Sequence, residues 1–180
     1  SGLKIFGISD HTPFPDNRWS EIRMPYEELD NYVEAVLAAK KSVPQVRVLL
    51  GMECEYIQEF KNYLEDELLG KRNFEYLIGA AHYTPYKGEW LNSFSDLDSI
   101  SHLKAYTEYI CKMIESKLFT FIAHPDIFGT NFLDWNEDLS LCSRDILKTA
   151  EENKIPLEIN GNGLRKNFVN SSSGLRAPYP

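Results

Sequence analysis

The stretch Ile8-Ser9-Asp10-His11-Thr12-Pro13 decides the fold. An apolar run, Leu3 to Ile8, ends abruptly in a histidine beside an acid, and Pro13 stops any regular continuation. A buried parallel strand delivers a side chain to the rim of an α/β barrel in this way. Other apolar runs end alike. Leu49-Leu50-Gly51-Met52-Glu53 ends in a carboxylate, and Leu77-Ile78-Gly79-Ala80-Ala81-His82 and Phe121-Ile122-Ala123-His124-Pro125-Asp126 end in imidazoles. Pro156-Leu157-Glu158-Ile159-Asn160 ends in polar groups and then Gly161. One strand ending in histidine means little. Several ending in His or Glu suggest convergence on metal.

Between these runs lie helical patterns. Pro25 opens one, with Glu27 and Glu28 in its first turn, the stripe Leu29, Tyr32, Val33, Val36 and Leu37, and a stop at Pro44. The spacing predicts further helices over Gln58–Leu69, ended by Gly70, from Ser99 as cap, and over Ser143–Asn153. Strands are expected over Leu3–Ile8, Val46–Cys54, Phe74–His82, Leu118–His124 and Pro156–Asn160. The stretches Thr12–Met24, Tyr83–Asp98 and Pro125–Leu141 read as loops, and loops as long as the first are usually functional or disordered. Alternation of strand and helix implies a parallel sheet with right-handed crossovers. Functional groups then gather at the carboxyl ends of the strands.

The totals narrow the class. A chain of 180 residues with 43% hydrophobic residues holds one domain with a sizeable core. A net charge of -8 argues against nucleic acid as a partner. The three cysteines, Cys54, Cys111 and Cys142, lack disulfide-framework spacing and fit a reducing, cytoplasmic compartment. No run approaches the ~20 apolar residues of a membrane span, and no signal peptide is evident.

Neutral imidazole and carboxylate together suit divalent Zn, Mn or Fe. Metals held close activate water and clamp phosphoryl oxygens. Asp10 and Asp126 sit beside ligand candidates and are placed to orient an imidazole or to ligate. Arg165 follows Asn160-Gly161-Asn162-Gly163-Leu164, and its planar fork matches two phosphate oxygens.

The motifs Ile8 to Pro15, Gly51-Met52-Glu53, Ala81-His82, Ala123-His124-Pro125-Asp126, and Glu158-Ile159-Asn160 through Gly163-Leu164-Arg165-Lys166 resemble the PHP (polymerase and histidinol phosphatase) family, in particular its histidinol-phosphatase branch. The resemblance runs over nearly the whole chain. It implies an α/β fold, a distorted seven-stranded parallel (β/α) barrel, with two or three divalent metals and hydrolysis of a small phosphomonoester, in this branch L-histidinol phosphate in histidine biosynthesis. By position it makes His11, Glu53, His82 and His124 metal ligands. Arg165 would hold the substrate phosphate, with Arg18 and Arg23 of the first loop as further candidates. Asp126 is the candidate acid for the leaving oxygen.

The family pattern also opens with a strand ending in His-x-His and closes with one ending in Asp-x-His. Neither motif is in this sequence, so residues 1–180 are expected to be a single PHP-type domain truncated at both ends. Such an unclosed barrel would expose apolar strand edges and favour self-association. Two rival functions follow: a related phosphoesterase acting on another small phosphate ester or nucleotide, and a half-site inactive until completed. Among individual residues, Glu55 rivals Glu53, as a surface carboxylate or a partner to a ligand. Cys54 points into the core, His102 is an exposed helix residue without a role, and Tyr83, Tyr86 and Trp90 either shape a pocket or cover the barrel mouth.

Overall fold

The structure is a computed structural model describing residues 2–132 and 135–161. It is mixed α/β and divides into two compact units, Ser1–Ile78 and Gly79–Pro180.

In the first unit, β1 (Ile5–Ile8) pairs in parallel with β2 (Arg47–Cys54), with Ile5 opposite Arg47 and Ile8 opposite Leu50. β3 (Tyr76–Gly79) follows β2 in the sheet, and Glu75 N–H donates to the Leu50 carbonyl at 2.8 Å. α1 (Leu29–Ser42) crosses over from β1 to β2, entered through a 3-10 turn at Tyr26–Glu28 that Pro25 initiates. Leu29 and Val36 bury its inner face, as do Leu50 and Met52 on β2. Each such side chain contributes about 1.5–3 kcal/mol on leaving water. Tyr76 lies across two glycines. A Cβ on Gly51 would sit 2.1 Å from its ring and one on Gly7 2.4 Å from its hydroxyl, so both strands need glycine there.

β1 does not match its expected burial. Ile5 is 55% exposed and Phe6 50%. The reason is position: β1 ends the strand order and has one neighbour among the described residues. Leu37 on α1 is likewise exposed. The segment expected as an α-helix over Gln58–Leu69 is a 3-10 turn at Gln58–Phe60 followed by a π-helix, Tyr63–Lys71. It runs through Gly70 rather than stopping there, and Arg72 N–H closes an i→i+5 bond to Glu67 at 2.9 Å. The wider turn buries Tyr63 and Leu68, five residues apart, together with Leu64.

The second unit begins at the last residue of β3. Ala123 N–H donates to the Gly79 carbonyl at 2.8 Å, beside β6 (Phe121–Ile122). The expected loop at Tyr83–Asp98 contains a hairpin instead, β4 (Tyr83–Tyr86) and β5 (Glu89–Asn92). Lys87 and Gly88 form its two-residue turn, both at positive φ (49° and 89°), the signature of a type I′ connection. Thr84 and Ser93 are both buried and hydrogen-bond each other at 2.9 Å.

α2 (Ile100–Glu115) starts at Ser99, whose hydroxyl caps the His102 N–H as expected. Leu103, Thr107, Ile110 and Ile114 are buried and the helix packs on α3 (Glu137–Asn153), while Ile100 stays exposed. α3 begins before the expected Ser143, because Asn136 caps it through the Leu139 N–H at 3.0 Å. Leu147 on its outer face is exposed, whereas Ile146 and Ala150 are buried. The expected strand Pro156–Asn160 reduces to one parallel bridge, Ile122 opposite Leu157. Its partner β6 is only two residues long, so the ladder has nothing further to bond.

Candidate functional site

The first unit brings His11 and Glu53 together. They are register partners just beyond β1 and at the end of β2, joined by a parallel bridge. Thr12 N–H donates to the Glu53 carbonyl at 2.8 Å, and Glu53 N–H to the Asp10 carbonyl at 2.9 Å. Register partners put their side chains on one face of the sheet. A His11 ring nitrogen and a Glu53 carboxylate oxygen lie within 4.8 Å of each other. Ligands to one cation bind at ~2.0–2.2 Å each, so this pair fits a divalent metal after a small rotamer adjustment. Neutral imidazole with carboxylate is also the right donor chemistry. Tyr32 holds the strand ends in place, its hydroxyl donating to the Ile8 (3.2 Å) and Gly51 (2.9 Å) carbonyls. Asp10 bonds the His11 backbone N–H at 2.7 Å.

The second unit brings His82 and His124 together. Their ring centroids are 5.0 Å apart, inclined at 59°. Phe94 packs on both, stacked on His82 at 6.1 Å and tilted to His124 at 6.3 Å. Ser93 N–H donates to the His82 carbonyl, which ties the end of the hairpin to this ring. His124 has φ +31°, a backbone conformation that side-chain-bearing residues rarely adopt. The Glu158 carboxylate holds it there by accepting the His124 N–H at 2.7 Å. Asp126 accepts from the Asn160 amide at 3.3 Å, and burial pushes its carboxyl above the ordinary range, opposed by that hydrogen bond.

The arginines of the first loop are engaged. Arg18 pairs with Asp16 (2.7 Å) and Glu59 (2.6 Å) and lies 4.8 Å over the Phe60 ring. Arg23 is buried in an ion pair with Glu55. Glu55 is therefore not the surface carboxylate that the sequence allowed. Cys54 is fully buried, as expected. His102 stacks edge-on against Tyr86 at 4.5 Å and reaches Asp98 at 3.0 Å. Arg165 lies outside the described residues. Sequence reasoning missed Phe94, and it gave Glu158 no role although that residue opens a quoted motif. A hairpin signal at Lys87-Gly88 would have pointed to the first; nothing local marks the second.

The molecule is thus an α/β protein whose strands end in His and Glu side chains, a donor set that can hold a metal ion. A family model described as PHP domain matches residues 1–162, and the chain belongs to that family. It is 27% identical over 134 residues to a Deinococcus radiodurans protein named "Probable histidinol-phosphatase", covering 71% of this chain and 50% of that protein. A Schizosaccharomyces pombe protein of the same name is 27% identical over 90 residues, 46% of this chain and 29% of its own length. The chain therefore spans at most about half the length of these curated relatives. Among solved structures it shares its fold with hisK of Listeria monocytogenes, a candidate histidinol phosphatase. The TM-score is 0.72 at 18% identity, over 98% of this chain and 82% of that one.

Proposed function

We propose that the chain is part of a metal-dependent phosphomonoester hydrolase of the histidinol-phosphatase type, converting L-histidinol phosphate and water to L-histidinol and phosphate. The observation that carries this reading is the pairing of His11 with Glu53, at strand ends, in a chain matched by the PHP model. Its relatives' names give the substrate class. In this reading His11, Glu53, His82 and His124 hold divalent metal, two or three ions of Zn, Mn or Fe in the intact enzyme. When bound, such ions supply Lewis acidity toward phosphoryl oxygens and acidify a water. Arg165 pairs with the substrate phosphate. Arg18 and Arg23 already neutralise carboxylates, so they are the weaker phosphate partners. Asp126 gives the leaving oxygen its proton.

The finer fold belongs to the same reading: a seven-stranded distorted (β/α) barrel, of which residues 1–180 form one truncated domain. So does a cytoplasmic location, which the free cysteines favour. Among the described residues no helix is long and apolar enough to cross a membrane.

The test is phosphate release from a panel of phosphomonoesters with added Mn or Zn. Histidinol phosphate is expected to be turned over fastest, and His124→Ala to lose metal-dependent release. Near-normal turnover by His124→Ala would refute the ligand assignment. Preference for a nucleotide or another sugar phosphate would keep the chemistry and change the substrate. Exposed apolar residues on β1 favour a second reading, a half-site completed by association.

A further inference from the structure

We propose that Arg23 is a positioning residue for the His11–Glu53 pair, holding it in register through Thr12 and Glu55. This rests on the reading of His11 and Glu53 as metal ligands. Two of the guanidinium's nitrogens hold polar anchors, and two aromatic rings lie close to it. One nitrogen donates to the Thr12 carbonyl at 3.0 Å and another pairs with the Glu55 carboxylate, both side chains being almost wholly buried. Its carbon lies 5.5 Å from the centre of the Phe14 ring and 5.2 Å from that of Trp19.

The two polar anchors flank the two ligands. Thr12 follows His11 and binds the Glu53 carbonyl twice, through its N–H and its hydroxyl, each at 2.8 Å. Glu55 lies two residues beyond Glu53. Arg23 thus bonds the residue after His11 and the residue two beyond Glu53, from a loop that carries no ligand. A buried ion pair adds little stability over apolar residues of the same volume, so its use here is to fix one arrangement. The forked, planar guanidinium satisfies a carbonyl and a carboxylate together, which a lysine ammonium on its flexible stem does less well.

The test measures Mn2+ affinity of the full chain by calorimetry, alongside thermal unfolding, for wild type, Arg23→Lys and the double variant Arg23→Met/Glu55→Leu. Partners that orient metal ligands typically contribute 10–100-fold in affinity. The double variant, with no buried charge left, is expected to unfold at or above the wild-type temperature yet bind Mn2+ about 10-fold or more weakly. Arg23→Lys is expected in between. Lys61→Ala, at a partly exposed residue paired with Glu65, is the control and should bind as wild type does. Wild-type affinity in a folded double variant overturns the proposal. So does loss of folding in both Arg23 variants, which would mark the pair as structural only. A wild-type chain that binds no Mn2+ overturns the ligand reading itself, and this inference with it.

Discussion

Single side chains in this protein take their properties from burial more than from sequence neighbours. The cysteines show it. Burial raises the Cys54 thiol far above its ordinary range and pushes Cys142 up to about 12, although a threonine hydroxyl bonds each sulfur. Cys111 is also raised, but it is only half-buried on α2. Thiolate is the reactive form, so a disulfide reagent at about pH 8 is expected to label Cys111 first. Cys54 and Cys142 should react only on unfolding, and equal labelling of all three in the native protein would contradict the buried placements. His124 makes the same point. Its neighbours Ala123 and Pro125 do not announce a positive φ; the distant Glu158 carboxylate that accepts its N–H does.

At the scale of elements, short polar links hold helices to strands. Glu75, just before β3, accepts the Leu50 N–H of β2 at 2.9 Å and pairs with Lys40 of α1. The Lys40 hydrogen bond lowers its carboxyl below the ordinary value of about 4.5, against the opposing effect of burial and with help from the Leu50 amide. A folded-state value below the unfolded one means stability present above the ordinary range and lost as pH falls through the folded value. Glu75→Gln is therefore expected to cost about 1 kcal/mol at neutral pH. The difference from wild type should shrink as the pH drops below about 4.5, read by urea unfolding at several pH values. A difference that grew toward acid would reverse the sign. The start of α2 was legible because its cap is local: Ser99 bonds the N–H three residues on, whereas the equally local Asn136 cap of α3 lies in a stretch read as loop. The hairpin and the π-helix were not legible. The hairpin is decided by two turn residues at positive φ, and the π-helix by which side chains must reach the core.

At the scale of the whole chain, β1 is the exposed feature with consequences. Leu3, just before β1, and Ile5 and Phe6 on it lie open at the end of the strand order among the described residues, an arrangement that invites pairing with another chain. Light scattering is expected to show association that rises with concentration, and Phe6→Lys to reduce it; a monodisperse monomer at all concentrations would exclude that role. The α/β class and the main alternation of strands with helices were legible in the sequence alone, as were the His and Glu residues at strand ends. Apolar runs, Pro and Gly stops, and polar strand ends are local signals that periodicity and composition reveal. Only tertiary structure decided that His11 faces Glu53, that His82 meets His124 under Phe94, and that Arg23 is spent on Glu55. Those pairings join residues tens of positions apart. Their partners are chosen by strand register and burial, which no stretch of the chain encodes by itself.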